Sequence, residues 1–173
     1  MVVHILVART KGRKMVEKSR LDDRLPSQVS DDFWIYARSE EQHFRGIDGS
    51  ELKIGKWQIF IPKGEQLDKG WIRIRDAIRE EGLTFEAKVS TERHNPNATN
   101  PNVGVIIVYT YDFENIDDVK RVGYALFKEG FAPIYYKTDI ATLSGEYTSR
   151  GRSKVSLYGI SKEGTFLQRG VNW

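Results

Sequence analysis

The sequence contains no cysteine, which rules out disulfide bonds, thiolate catalysis and cysteine-based zinc sites together. Histidine is scarce: His4, His43 and His94 lie far apart, outside the short spacings that bring two imidazoles to one metal ion. Long apolar runs are missing too. The stretch Val2–Ala8 is broken by His4, is far shorter than the ~20 residues of a membrane-spanning helix, and lacks a signal-peptide cleavage pattern. Nor is there a large excess of one charge. The 27 Lys and Arg against 24 Asp and Glu leave a net +3, which permits an anionic ligand without demanding one. These absences lead to the expectation of a cytoplasmic protein with no metal site, no cofactor and no membrane attachment.

What remains suits a folded domain. With 39% hydrophobic and 12% aromatic residues in a chain of 173, residues 1–173 read as one domain able to bury a sizeable core. Residues 1–30 read as a less regular segment, including the basic run Arg9–Lys14, and 31–173 as the folded body. Six segments read as strands: Phe33–Arg38, Lys56–Ile61, Phe85–Thr91, Val103–Thr110, Ile134–Thr138 and Lys154–Ile160. Val103–Thr110 is apolar on both faces, which places it centrally. Leu67, Trp71, Ile74 and Ile78 recur on one face of a helix ending at Gly82. Ile116, Val119, Val122 and Leu126 do the same in a helix capped by Asn115 and closed by Gly130. Thr91–Asn102, rich in Asn and Pro, reads as a loop. Strands outnumber helices, so the fold class is α+β, a mainly antiparallel sheet with helices packed on one face.

Alternation along the strands sorts side chains between the two faces. Phe33, Ile35 and Ala37 fall on one side with Phe85, Ala87 and Val89. If the helices cover that side, the other collects Trp34, Tyr36, Arg38, Lys88, Ser90, Lys137, Arg152, Lys154 and Tyr158, with Arg150 joining if the last strand extends back that far. Trp57 and Trp71 read as core; Trp34 and Trp173 remain as stacking platforms. Aromatic planes among cations suit a ligand with a flat ring and phosphates. The plainer reading is a sheet that presents Lys and Arg to water.

Gly55-Lys56-Trp57-Gln-Ile-Phe-Ile61, then Leu67-Asp68 and Gly70-Trp71, resembles the Gly-x-Trp strand and Asp-x-x-Trp helix start of the mRNA cap-binding initiation factors. Glu86–Ser90, Ile106–Thr110 and Asp139–Gly145 are similar to later segments of that family, in the same order. The resemblance implies a curved sheet with its helices on the convex face. A smaller group in that superfamily, the basophilic-leukaemia-expressed protein family, is more similar still, through Gly55–Trp57, Ala87–Thr91, Val108–Phe113, Asp118–Val122 and Tyr136–Asp139. That resemblance implies a fold and no activity. Against the cap-binding pattern, the second stacking Trp and its neighbouring Glu are missing, His43-Phe44 occupies the loop of the first, and Gly130 and Ile134 stand where phosphate-contacting cations are expected. The resemblance therefore does not imply a methylated guanine held between two rings.

Three functional readings stay open. The first is a non-catalytic binding module for a nucleotide or a 5′-phosphorylated single-stranded RNA end, with Trp34, Tyr36 and Phe44 as stackers and Lys88, Lys137, Arg150, Arg152 and Lys154 as phosphate contacts. The second is a lyase or phosphoester-cleaving enzyme with Lys88 as base and His43 or His94 as its partner. The third is an adaptor that takes a protein partner through the helical face.

Overall fold

Alternating apolar positions and two amphipathic helices leave one economical arrangement, a sheet whose apolar face is roofed by both helices. The computed structural model describes residues 22–40, 53–139 and 156–168. Within them the strands are β1 (Trp34–Arg38), β2 (Gly55–Pro62), β3 (Glu86–Ser90), β4 (Val103–Thr110), β5 (Ile134–Thr138), β6 (Tyr158–Ile160) and β7 (Phe166–Gln168). The helices are α1 (Glu65–Arg79), between β2 and β3, and α2 (Ile116–Lys128), between β4 and β5. The seven strands form one curved sheet in the order β1-β3-β4-β2-β5-β6-β7, and every neighbouring pair is antiparallel. The fold class is the α+β class expected from the sequence, and β4 is central as its two apolar faces require.

α2 begins and ends where the sequence signals, whereas α1 begins two residues before Leu67 and ends at Arg79, three residues before Gly82. Asn115 accepts a hydrogen bond from the Asp118 amide at 3.2 Å, and Gly130, at φ +85°, closes α2 in the left-handed region. Leu67, Trp71, Ile74 and Ile78 of α1 and Val119, Val122 and Leu126 of α2 are all buried. They join Ile35, Ala37, Trp57, Ile59, Ala87, Val89, Ile106, Val108, Ile134 and Tyr136 in one core, so both helices lie on the same face of the sheet. Val29 and Pro26, upstream of Asp31, are buried as well. Among the described residues no helix is long and apolar enough to cross a membrane.

One node ties sheet to helix. Trp57 is fully buried and donates its indole N–H to the Val119 carbonyl of α2 at 3.1 Å. Its ring meets Tyr136 edge-on at 5.2 Å between centroids, and the Tyr136 hydroxyl lies 2.6 Å from Thr110 Oγ1. Glycine makes room at both ends: a Cβ on Gly123 would stand 2.4 Å from the Trp57 ring, and one on Gly55 2.0 Å from the Tyr136 hydroxyl.

The structure departs from the sequence reading at three points. The last expected strand, Lys154–Ile160, is limited within the described residues to Tyr158–Ile160, and it turns at Gly164 (φ +84°) into β7, which was not foreseen. Three residues are too few to display alternation, although the turn glycine was visible. Tyr158 lies on the helix side of the sheet. It stands opposite Tyr136, is 4% exposed, packs on the Tyr136 and Phe166 rings and donates to the Phe113 carbonyl. The alternation is read one residue out of step there, because Tyr158 and Ile160 fill core volume and Gly159 cannot. Phe85 sits just before β3 and packs with Ile107, Tyr109 and Tyr111, away from Ala87 and Val89.

Gly123→Ala should overpack the Trp57 node and destabilise the protein by about 1–3 kcal/mol. Urea unfolding measures it; an unchanged midpoint would show that α2 can shift away from Trp57 without penalty.

Candidate functional site

Burying Trp57, Ile59 and Ile61 on the helix side turns Lys56, Gln58 and Phe60 to the far face. The register then brings side chains from five strands together on that face. Tyr36 stands opposite Lys88, and Lys88 opposite Ile107. Ile107 pairs with Gln58, and Gln58 with Tyr135. In the adjacent row Arg38 stands opposite Glu86, and Lys56 faces Tyr109 on one side and Lys137 on the other. The far face is not a plain solvated surface. Phe85, Ile107 and Tyr109 form a second buried cluster, flanked by Trp34, Ile54, Val105 and Tyr111. Lys56 and Lys137 are each only 5% exposed.

Burying cations is costly unless something compensates them. Lys56 pairs with Asp139 at 2.5 Å, and Arg38 with Glu86 at 2.5 Å. Lys88, half-buried, has no carboxylate within ion-pairing reach among the described residues. Its ammonium rests instead on rings, 4.4 Å from the centroid of Trp34 and 5.6 Å from that of Tyr109. The Lys56 ammonium lies over the same Tyr109 ring at 5.8 Å. Two ammonium groups therefore lean on one phenol. Burial, and then the charge of Lys56, lower the Lys88 pKa from that of an ordinary lysine. Burial, and then the charges of Asp139 and Glu86, raise that of Tyr109, whose hydroxyl stays a neutral hydrogen-bond donor. Two lysine ammoniums around a neutral phenol donor form an arrangement that attracts a phosphate or another oxyanion.

The residues singled out from the sequence fall into three groups. Trp34, Tyr36, Arg38, Lys88, Ser90 and Lys137 share the far face by the register of β1, β3 and β5. Within that group Arg38 is engaged by Glu86 and its guanidinium lies over Tyr36 at 5.2 Å, while Ser90 Oγ accepts from the Val105 amide at 2.9 Å. His94 is exposed on the β3–β4 loop, and Tyr158 belongs to the core. Phe44, His43, Arg150, Arg152, Lys154 and Trp173 lie outside the described residues. Sequence reasoning passed over Lys56, Tyr109, Gln58 and Phe60. The signal was present: once Trp57 is assigned to the core, alternation sends Lys56 and Gln58 to the far face, and Tyr109 follows from Val108.

The model of the family described as basophilic leukemia-expressed protein Bles03 matches residues 36–144, a span that runs from the middle of β1 past the end of β5 and includes every far-face residue named above except Trp34. The chain belongs to this family. Among solved structures it is similar to Ascaris suum eIF4E-3 in complex with an m7G cap, at 22% identity and a TM-score of 0.47. It is similar also to the same protein in complex with an m2,2,7G cap, at 21% identity and a TM-score of 0.46. Each match covers 61% of this chain and 61% of the other.

The lowered Lys88 pKa gives a stability test with a definite sign. The folded chain releases this proton at lower pH than the unfolded chain, so between the two values the unfolded state binds more protons. This lysine's share of stability therefore rises as pH climbs through the folded value and levels off above the ordinary lysine value. Lys88→Met should raise the melting temperature of the free protein near neutral pH by a few degrees and flatten that alkaline rise. A lower melting temperature for the variant would mean that the ring contacts outweigh desolvation.

Proposed function

We propose that this member of the Bles03 family is a binding module for phosphate-bearing nucleotides, including the 5′-phosphorylated end of single-stranded RNA, and that the far face of the sheet is where it binds them. One observation carries the reading: Lys88, without a carboxylate partner among the described residues, is held between two rings beside a second ammonium. A phosphate placed there gains two cations and the Tyr109 hydroxyl. It also relieves the repulsion that Lys56 exerts on Lys88.

A terminal phosphate, approaching two negative charges near neutral pH, gains more from the Lys88 and Lys56 ammoniums than a phosphodiester with one. Binding and positioning need no proton transfer, and His94 is exposed on a loop beyond β3 rather than set into the lysine cluster.

The experiment is calorimetry with a short 5′-phosphorylated RNA and its 5′-hydroxyl counterpart. The phosphorylated RNA should bind more tightly, Lys88→Ala should erase the difference, and binding should weaken as pH rises through the lowered Lys88 pKa. Equal affinity for both RNAs, or a Lys88→Ala variant that still tells them apart, would remove the phosphate site from this face.

A further inference from the structure

β2 pairs with β4 along its whole length, Gly55–Pro62, but its register with β5 runs only from Gly55 to Gln58. Beyond Gln58, among the described residues, the β5 side of β2 has no strand against it. The space is bordered instead by the turn after α2. The result is a cleft of about 320 Å³ lined by Ile59, Phe60, Ile61, Phe131, Pro133 and Tyr135, with the turn residues Gly130 and Ala132. Phe131 is fixed from behind by Arg73, whose guanidinium lies 4.6 Å from the ring centroid while donating to the Glu129 carbonyl at 2.6 Å.

Three features make this cleft more than a gap in the sheet. Its volume lies at the small end of ligand sites, which begin at about 300 Å³, enough for one ring system. Phe60 is 56% exposed, the highest value among the large exposed hydrophobic residues described, and Tyr135 on the next strand is half-buried beside it. Gln58 stands opposite Tyr135 on the same face, and its side-chain amide makes no hydrogen bond among the described residues. An apolar slot with one unengaged amide at its edge offers a donor and an acceptor side by side, the pattern with which Asn and Gln read the edge of a base.

The cleft is continuous with the cationic cluster. Tyr135 and Lys137 point the same way two residues apart on β5, about 6.6 Å along the strand, and Lys137 faces Lys56. A ring in the cleft thus lies one nucleotide's reach from the lysines. Trp34 is the less suitable platform, since the Lys88 ammonium already occupies a face of its ring.

We infer that the cleft between Phe60 and Tyr135 takes the heteroaromatic base of the nucleotide whose phosphate the lysines hold, with the Gln58 amide set against the base's polar edge. This rests on the phosphate reading above and adds the position and recognition of the base. Trp34 is then a wall that holds Lys88 in place, and the ligand's plane lies on the β2–β5 side of the sheet.

Calorimetry with ribose 5-phosphate and the four 5′-nucleoside monophosphates separates the two claims. The intact chain should bind at least one nucleotide about tenfold more tightly than ribose 5-phosphate, the gain expected of one stacked base. Phe60→Ala, at an exposed position, should shrink that gap towards parity and leave ribose 5-phosphate affinity unchanged, and Phe60→Trp should keep or widen it. Gln58→Leu should flatten the preference among bases. Trp34→Ala should weaken ribose 5-phosphate and nucleotides alike. If nucleotides outbind ribose 5-phosphate equally well in Phe60→Ala and Gln58→Leu, the base site is overturned while the phosphate site stands. If neither ribose 5-phosphate nor any nucleotide binds, the phosphate site fails and the base site fails with it.

Discussion

The arrangement depends on burying the indole of Trp57. Its ring fills the space between sheet and α2, and its N–H would be an unsatisfied buried donor without the Val119 carbonyl. That requirement fixes which face of β2 meets the helices, because a slip of one residue would turn the indole to the far side and leave a void beneath α2. Everything on the opposite face follows from it. With Trp57 inward, Lys56 and Gln58 must point outward, in register with Tyr109, Lys137 and Tyr135. Gly55 and Gly123, where no side chain fits, mark how tightly the node is packed.

The two faces solve different problems. The helix side is an apolar core in which the Tyr136 and Tyr158 hydroxyls and the Trp57 N–H are satisfied locally, while the buried Trp71 N–H has no partner among the described residues. The far side puts lysines onto aromatic rings and accepts a cation whose charge the described residues do not match. Such an arrangement is unfavourable for an isolated fold, and the anion proposed to bind there would offset that cost. Sites that hold charge in readiness are where proteins commonly give up stability for function. Cation–π contacts make the compromise tolerable, since a ring face replaces part of the lost hydration without neutralising the charge.

Much of this could be read from the sequence, because period and parity are local. The helical stripes through Trp71 and Val122, the cap at Asn115 and the stops at Gly82 and Gly130 announce themselves within a few residues. So does the split of Trp34, Tyr36 and Arg38 from Ile35 and Ala37, and of Lys88 from Ala87 and Val89. What could not be read is what depends on neighbours. Strand order is absent from a local pattern, so nothing in the sequence sets Lys56 between Tyr109 and Lys137. Tyr109 was hidden by a strand apolar on both faces, where alternation carries no contrast. Tyr158 was misplaced because a short strand ending Tyr-Gly-Ile admits either parity until Tyr136 is known to lie opposite. Phe60 and Gln58 draw notice only once β5 is seen to stop short.

The strand order also bears on how the chain reaches this state. Trp34 faces Ser90, and Gly55, at the start of β2, faces Thr138. Three of the six strand pairings, β1 with β3 and β2 with β4 and β5, join strands distant in sequence, and their loop-closure entropy must be spent before the contacts reward it. β2 acquires its second neighbour only when β5 has been synthesised. On the ribosome, at about 5–20 residues per second, the segment carrying Trp57 waits several seconds with both its apolar and its cationic side chains uncovered. During that interval Phe60 and the unpaired edge of β2 are a surface on which chaperones, or other nascent chains, can act.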